Sequence, residues 1–162
     1  MKTLLKLYVR LAALVSYLQS PFLLAVRLYW GWQFAQTGWG KLHNLAKITG
    51  FFASLNIPFP AMSAHFVASL EFVGGILLIL GLGSRAIGLL LSANMLVAYI
   101  TADREALTAV FSDPGKFYIA DPFTFLFASA IVLIFGAGLF SADALLAKRC
   151  RVWLQGSGIE KE

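Results

Sequence analysis

Four stretches of the chain are apolar at nearly every position, and each has the length a helix needs to cross a lipid bilayer. They run from Pro21-Phe22 to about Trp39, from about Ala64 to Leu82, from Arg85 to about Ala102 and from Pro122 to Phe140. About 20 residues cover a hydrocarbon core of roughly 30 Å, and a helix lets one segment satisfy all its own backbone N–H and C=O groups there. Proline near the start of the first and fourth stretches suits a helix N-terminus, where the missing N–H has no partner to lose. Between the second and third stretches lies only Gly81-Leu82-Gly83-Ser84-Arg85, which forces the two helices into an antiparallel hairpin. The pattern predicts an all-α, membrane-embedded antiparallel four-helix bundle.

The flanks carry a different pattern. Lys2, Lys6 and Arg10 recur every four residues and face away from Leu4, Leu11, Val15 and Leu18, the arrangement of an amphipathic helix lying on a membrane surface. Lys6 and Arg10 also interrupt the apolar run that a cleaved secretory signal would need. The chain therefore divides into an N-terminal interfacial amphipathic helix (1–20), a four-span domain (21–140) and a basic tail (141–162). Leu45, Ile48, Phe52 and Leu55 fall at helical spacing before Asn56-Ile57-Pro58-Phe59-Pro60, which predicts a short amphipathic helix ended by the prolines. Leu107, Val110 and Phe111 before Asp113-Pro114-Gly115 predict a second partial helix and turn over the same mouth.

Composition agrees with lipid as the main solvent: 59% of the residues are hydrophobic and the mean hydropathy is +0.78. The net charge of +5 marks topology and not a nucleic-acid partner, because the basic residues gather at the chain's ends beside apolar runs. Lys2, Lys6, Arg10, Arg85, Lys148, Arg149, Arg151 and Lys161 fall on one side of the four-span arrangement. Lys41, Lys47, Arg104 and Lys116 fall on the other. The richer side is the cytoplasmic one, which puts both termini inside the cell. Cys150 is the single cysteine, so one chain forms no disulfide, CxxC pair or cysteine zinc cluster.

Arg27, Gln33, Gln36, Glu71 and Asn94 interrupt the apolar spans, where a lone charge costs at least ~2.5 kcal/mol on insertion scales. Symmetric placement of each span brings Gln33, Glu71 and Asn94 within one turn of the midplane and predicts a shared polar cluster. Arg27 falls about 8 Å nearer the cytoplasm than Glu71 in that alignment, a gap that tilt can close to a bidentate guanidinium–carboxylate pair. Unpaired, Glu71 suits a proton-carrying role; Gln36 and Asn94 serve equally well as hydrogen-bonding glue between helices. Lys41, His43 and His65 collect at the outer ends of the first two spans. There they suit an anionic headgroup, a quinone carbonyl or a metal, although two histidines supply too few ligands for an ordinary metal site, and none is assigned. Gly31, Gly38, Gly74-Gly75, Gly136 and Gly138 read as points of close helix packing.

These residues also form an ordered pattern. Arg27-x3-Gly31 and Gly38-x2-Lys41 are followed by Gly50-Phe51-Phe52, Ile57-Pro58, Glu71-x2-Gly74-Gly75, Leu80-Gly81-Leu82, Arg85 and Met95-x2-Ala98. The chain thereby resembles the DoxX family of small bacterial membrane proteins with four spans, over about Leu24 to Phe140. That resemblance implies residence in the cytoplasmic membrane and a link to thiosulfate oxidation coupled to quinone, to redox-stress membrane complexes, or to maturation of metal-related peptides. It supports a quinone-linked redox subunit in which Glu71, with Arg27 or Lys41, manages a proton while electrons come from a substrate or partner. It equally admits a non-enzymatic partner that assembles or escorts another membrane protein. A proton-coupled transporter is the third reading, weakened by the lack of long inverted repeats.

Overall fold

The computed structural model describes residues 2–157, all-α with no strand among them; Met1 and Lys161 lie outside the described residues. Eight helices follow in order: α1 (Lys2–His43), α2 (Leu45–Ser54), α3 (Pro60–Leu80), α4 (Ser84–Thr101), α5 (Arg104–Thr108), α6 (Pro114–Ile119), α7 (Pro122–Phe135) and α8 (Ala142–Ser157). Three of them, α1, α3 and α4, are long and apolar enough to cross a membrane.

Two boundaries differ most from the sequence pattern. The first concerns the separate surface helix expected over residues 1–20. No break divides it from the first span, since α1 is continuous for 42 residues with Pro21 inside it. Proline withholds one backbone donor there, from the Tyr17 carbonyl, while Leu-rich flanks favour the helix on both sides. At 1.5 Å per residue α1 is about 63 Å long, roughly twice a hydrocarbon core.

The second concerns the fourth span, expected to reach Phe140. Its helix, α7, stops at Phe135 after 14 residues, about 21 Å. Gly136 (φ 77°) and Gly138 (φ 73°) adopt backbone angles open to glycine. They carry the chain on as a non-helical segment to α8. Hydropathy cannot register this change, because Gly136 to Phe140 is as apolar as the helix before it.

The remaining elements follow the sequence closely. α2 occupies the predicted amphipathic stretch but ends at Ser54, before the prolines, with Leu55 as its C-cap and Asn56 in the left-handed region (φ 55°). Pro60 then opens α3, four residues before the expected start. The α3–α4 turn closes with the Gly81 and Leu82 amides donating back to the Leu78 and Leu77 carbonyls at 3.1 and 3.0 Å. α5 and α6 supply the second predicted cap, tied to α4 where the Tyr99 hydroxyl donates to the Phe117 carbonyl at 2.8 Å.

α1 packs chiefly on α3, and α4 chiefly on α7. Phe34, Leu78, Leu91, Met95 and Val132 meet in one core drawn from α1, α3, α4 and α7. The α1–α3 contact is close enough to depend on glycine: a Cβ at Gly75 would meet the Ala35 amide nitrogen at 2.5 Å, and one at Gly38 would strike the Phe72 backbone. In lipid, where apolar side chains gain nothing by leaving solvent, such backbone contact and buried polar pairs drive packing. The Ser92 hydroxyl donating to that of Ser129 at 2.8 Å is one such pair, joining α4 to α7.

Candidate functional site

Leu23, Arg27, Gly31, Phe34, Gly38 and Lys41 recur at three- and four-residue intervals and form the inward face of α1. On α3, Ala64, Ala68, Glu71, Gly75 and Leu78 do the same. The crossing of Gly38 over Ala68 and Phe72 sets the register between the two faces. One turn beyond Gly38, Lys41 then arrives beside Glu71.

Glu71 is 1% exposed, and its carboxylate is fully engaged. Lys41 Nζ lies 2.6 Å from both Oε1 and Oε2, and Asn94 Nδ2 donates to Oε1 at 3.1 Å. The side chain of Lys41 remains 31% exposed against 2% for that of Glu71. The buried acid therefore communicates with its surroundings through the ammonium that covers it.

The sequence-predicted residues divide around this pair. Asn94 joins Glu71 as expected, but Gln33 does not: it stands off the inward face of α1 and reaches the Tyr29 hydroxyl of its own helix at 3.4 Å. Gln36 is exposed. His43 is exposed and bound to its own helix, with Nδ1 2.9 Å from the Trp39 carbonyl and its ring 4.2 Å from that of Trp39. Trp39 in turn packs on Phe72 at 5.3 Å. His65 is exposed on α3. Among the described residues no three His, Cys, Asp or Glu side chains gather as metal ligands.

The expected Arg27–Glu71 pair does not form. Arg27 and Lys41 are separated by on the order of 20 Å along α1, and Lys41 takes the carboxylate. Arg27 is buried completely, well down α1 from Lys41. Its Nη2 donates to the Phe140 carbonyl at 2.5 Å, a group left without a helical partner by the end of α7. The guanidinium packs against Gly81, where a Cβ would overlap Nη1 and crowd Ser141.

Asp143, which sequence reasoning missed, completes this second station. Its carboxylate accepts from the Gly83 and Ser84 amides at 2.7 and 2.9 Å, capping α4, while its own amide donates to the Gly81 carbonyl at 2.9 Å. Partial burial pushes the Asp143 carboxyl upward, but the Ser84 and Gly83 amides and the charge of Arg27 outweigh it and hold the group below its usual range. The available signal was its isolation, as the single acid between Asp121 and Glu160.

At the α5–α6 end, Asp103, Arg104, Glu105 and Lys116 line an open cavity of about 480 Å³. Burial, and then the charge of Asp121, raise the Asp103 carboxyl above its usual range.

The DoxX family model matches residues 22–104, a segment that holds Arg27, Lys41, Glu71 and Asn94 but not α7 or Asp143. The chain is also similar to the protein named "Putative oxidoreductase CatD" of Bacillus subtilis (strain 168). The two are 32% identical over 71 residues, which cover 40% of this chain and 52% of that protein. The chain thus spans about half the length of the curated relative it matches. No solved structure matches it.

Proposed function

The chain belongs to the DoxX family, and from that premise we propose that it is a quinone-linked redox subunit of the cytoplasmic membrane, with Lys41, Glu71 and Asn94 handling the proton. The observation that carries this reading is the buried Glu71 carboxylate held under a partly exposed Lys41. Reduction of a quinone to a quinol takes up two electrons and two protons. A donor protein or substrate supplies the electrons. As negative charge develops on a quinone oxygen near Lys41, the ammonium donates a hydrogen bond and then one proton while Glu71 keeps the lysine positioned; water on the exposed side of Lys41 supplies the second proton and reprotonates the amine. The name of the relative, an oxidoreductase, is in keeping with this chemistry.

In the same reading the chain crosses the bilayer four times as an antiparallel bundle with both termini cytoplasmic. α7 and the segment after it make the last pass. Non-helical backbone is tolerable at that depth where protein covers it, and Gly136 and Ala137 are buried. The Lys41 site then lies toward the outer face and the Arg27 station toward the cytoplasm.

The test is mass analysis of quinones and lipids retained by the purified protein in native-lipid discs, wild type beside Glu71→Gln. A quinone bound by the wild type and lost from the variant supports the proposal. Wild-type protein that retains no quinone and leaves quinone reduction in native membranes unchanged would defeat it. A second reading, a non-enzymatic partner that assembles another membrane protein, draws on the exposed first half of α1. Normal assembly of membrane complexes in a deletion strain would remove it.

A further inference from the structure

The start of α4 carries a cation that the site chemistry does not use. α3 and α4 are both long and apolar enough to cross a membrane, so the turn between them marks the edge of the hydrocarbon. Arg85, in the first turn of α4, therefore stands at headgroup depth. Its side chain is exposed and, among the described residues, has no hydrogen bond or ion pair. The guanidinium lies along the non-helical segment that follows α7, where a Cβ at Gly136 would stand 3.3 Å from Nε and 3.8 Å from Nη2. Between the first turn of α4 and that segment runs an open groove of about 460 Å³, with Arg85, Phe135, Gly136 and Asp143 in its walls.

We propose that this groove is a phospholipid site, in which Arg85 holds the phosphodiester of an anionic lipid from the adjoining leaflet and the acyl chains follow the α4–α7 surface. A guanidinium can pair with phosphate through two parallel N–H···O bonds, and no protein acceptor competes for that of Arg85. Asp143 shares the groove, but its carboxylate already accepts from the Gly83 and Ser84 amides and faces the charge of Arg27. Arg27 and Arg85 thus meet one carboxylate. No other acid is close in the chain: none falls between Glu71 and Asp103, and Asp143 is the single one between Asp121 and Glu160. α8 adds to the excess, because its first turn is tied to the α3–α4 turn by the Asp143 amide donating to the Gly81 carbonyl at 2.9 Å. Exposed Lys148 and Arg149 follow about 8 Å farther along it. Such a surplus of cations beside membrane helices selects an anionic lipid over a zwitterionic one. The apolar half of the ligand is matched as well. Leu89, one turn beyond Arg85, and Phe135, on the other wall, are each 55% exposed. A soluble phosphate would use the cation alone, whereas a lipid uses both features.

The test titrates the purified, delipidated full chain with phosphatidylglycerol and phosphatidylcholine of matched acyl chains, read by native mass spectrometry. The wild type should bind its first phosphatidylglycerol several-fold more tightly than phosphatidylcholine. Arg85→Gln should lose that preference, and Lys116→Gln, which removes a cation from α6, should keep it. Glycerol phosphate, with the phosphate but no chains, should not displace the lipid. Photolabelling of the wild type with phosphatidylglycerol that carries a diazirine in its acyl chain should mark the peptides of Leu89 and Phe135, a readout independent of how any variant folds. Equal binding of the two lipids would overturn the proposal, as would a preference that survives Arg85→Gln or falls equally in Lys116→Gln. Displacement by glycerol phosphate would assign the groove to a soluble anion, and label spread evenly over all the helices would leave no site; either result overturns it too.

Discussion

Lys41 Nζ stands 2.6 Å from each carboxylate oxygen of Glu71, so one ammonium from the last turns of α1 caps an acid buried in the middle of α3. The two partners differ in exposure, and loss of one therefore differs from loss of the other. Lys41→Met strands a buried carboxylate with Asn94 as its remaining donor, and should cost about 3 kcal/mol or more. Glu71→Gln leaves a lysine that can turn to solvent, and should cost about 1–2 kcal/mol. The double variant should recover part of the Lys41→Met loss. Denaturant unfolding in one detergent checks the order, and a larger loss from Glu71→Gln would contradict it.

Gly81 and Gly83 both have left-handed backbone, with φ of 68° and 60°, but a Cβ at Gly83 meets open space whereas one at Gly81 overlaps the Arg27 guanidinium. Gly83→Ala should lose only the backbone cost, about 1–2 kcal/mol. Gly81→Ala should lose about 3 kcal/mol or more, because a packed core answers overfilling with displacement. Combining it with Arg27→Ala should narrow the gap between the two glycine variants. Thermal melts of the four proteins measure this, and equal melting of the two glycine variants would remove Arg27 from the account.

The depressed Asp143 carboxyl fixes a pH window. Its contribution is complete above the ordinary value of 3.8 and is lost as pH falls through the lower folded-state value. Asp143→Ala should cost about 1 kcal/mol at neutral pH, as loss of a helix cap does. The melting-temperature difference from wild type should stay flat above that window and close within it. A difference that persists unchanged in strong acid would assign the residue another role.

Asp103 has the opposite sign. Its carboxyl is raised, so the folded protein loses stability as pH climbs from the ordinary 3.8 through the higher folded-state value. Asp103→Asn should raise the melting temperature at neutral pH and have no such advantage below 3.8. A destabilised variant at neutral pH would mean that the ionised carboxylate has a favourable partner.

Hydropathy made α3, α4, α2 and the tight turn at Gly81 legible, because each boundary is marked by glycine, proline or a change of pattern. Partner choice was harder to read. Aligning spans by their centres treats helices as smooth cylinders and favours Gln33 as the neighbour of Glu71. The observed register comes from backbone contact at Gly38, which selects Lys41. The clue was present in the spacing of Arg27, Gly31, Phe34, Gly38 and Lys41 along one face, which places Gln33 outside it. The early end of α7 was not legible, since left-handed glycines leave no trace in hydropathy. The destination of Arg27 was hidden with it.

That early end bears on how the molecule is made. Arg27 emerges from the ribosome more than a hundred residues before the Phe140 carbonyl that receives it. Until the last apolar segment arrives, the guanidinium lacks the hydrogen bond that its Nη2 makes to the Phe140 carbonyl. Arrival of the last apolar segment is thus the step that closes this contact, and a chain truncated before Phe140 would lack it.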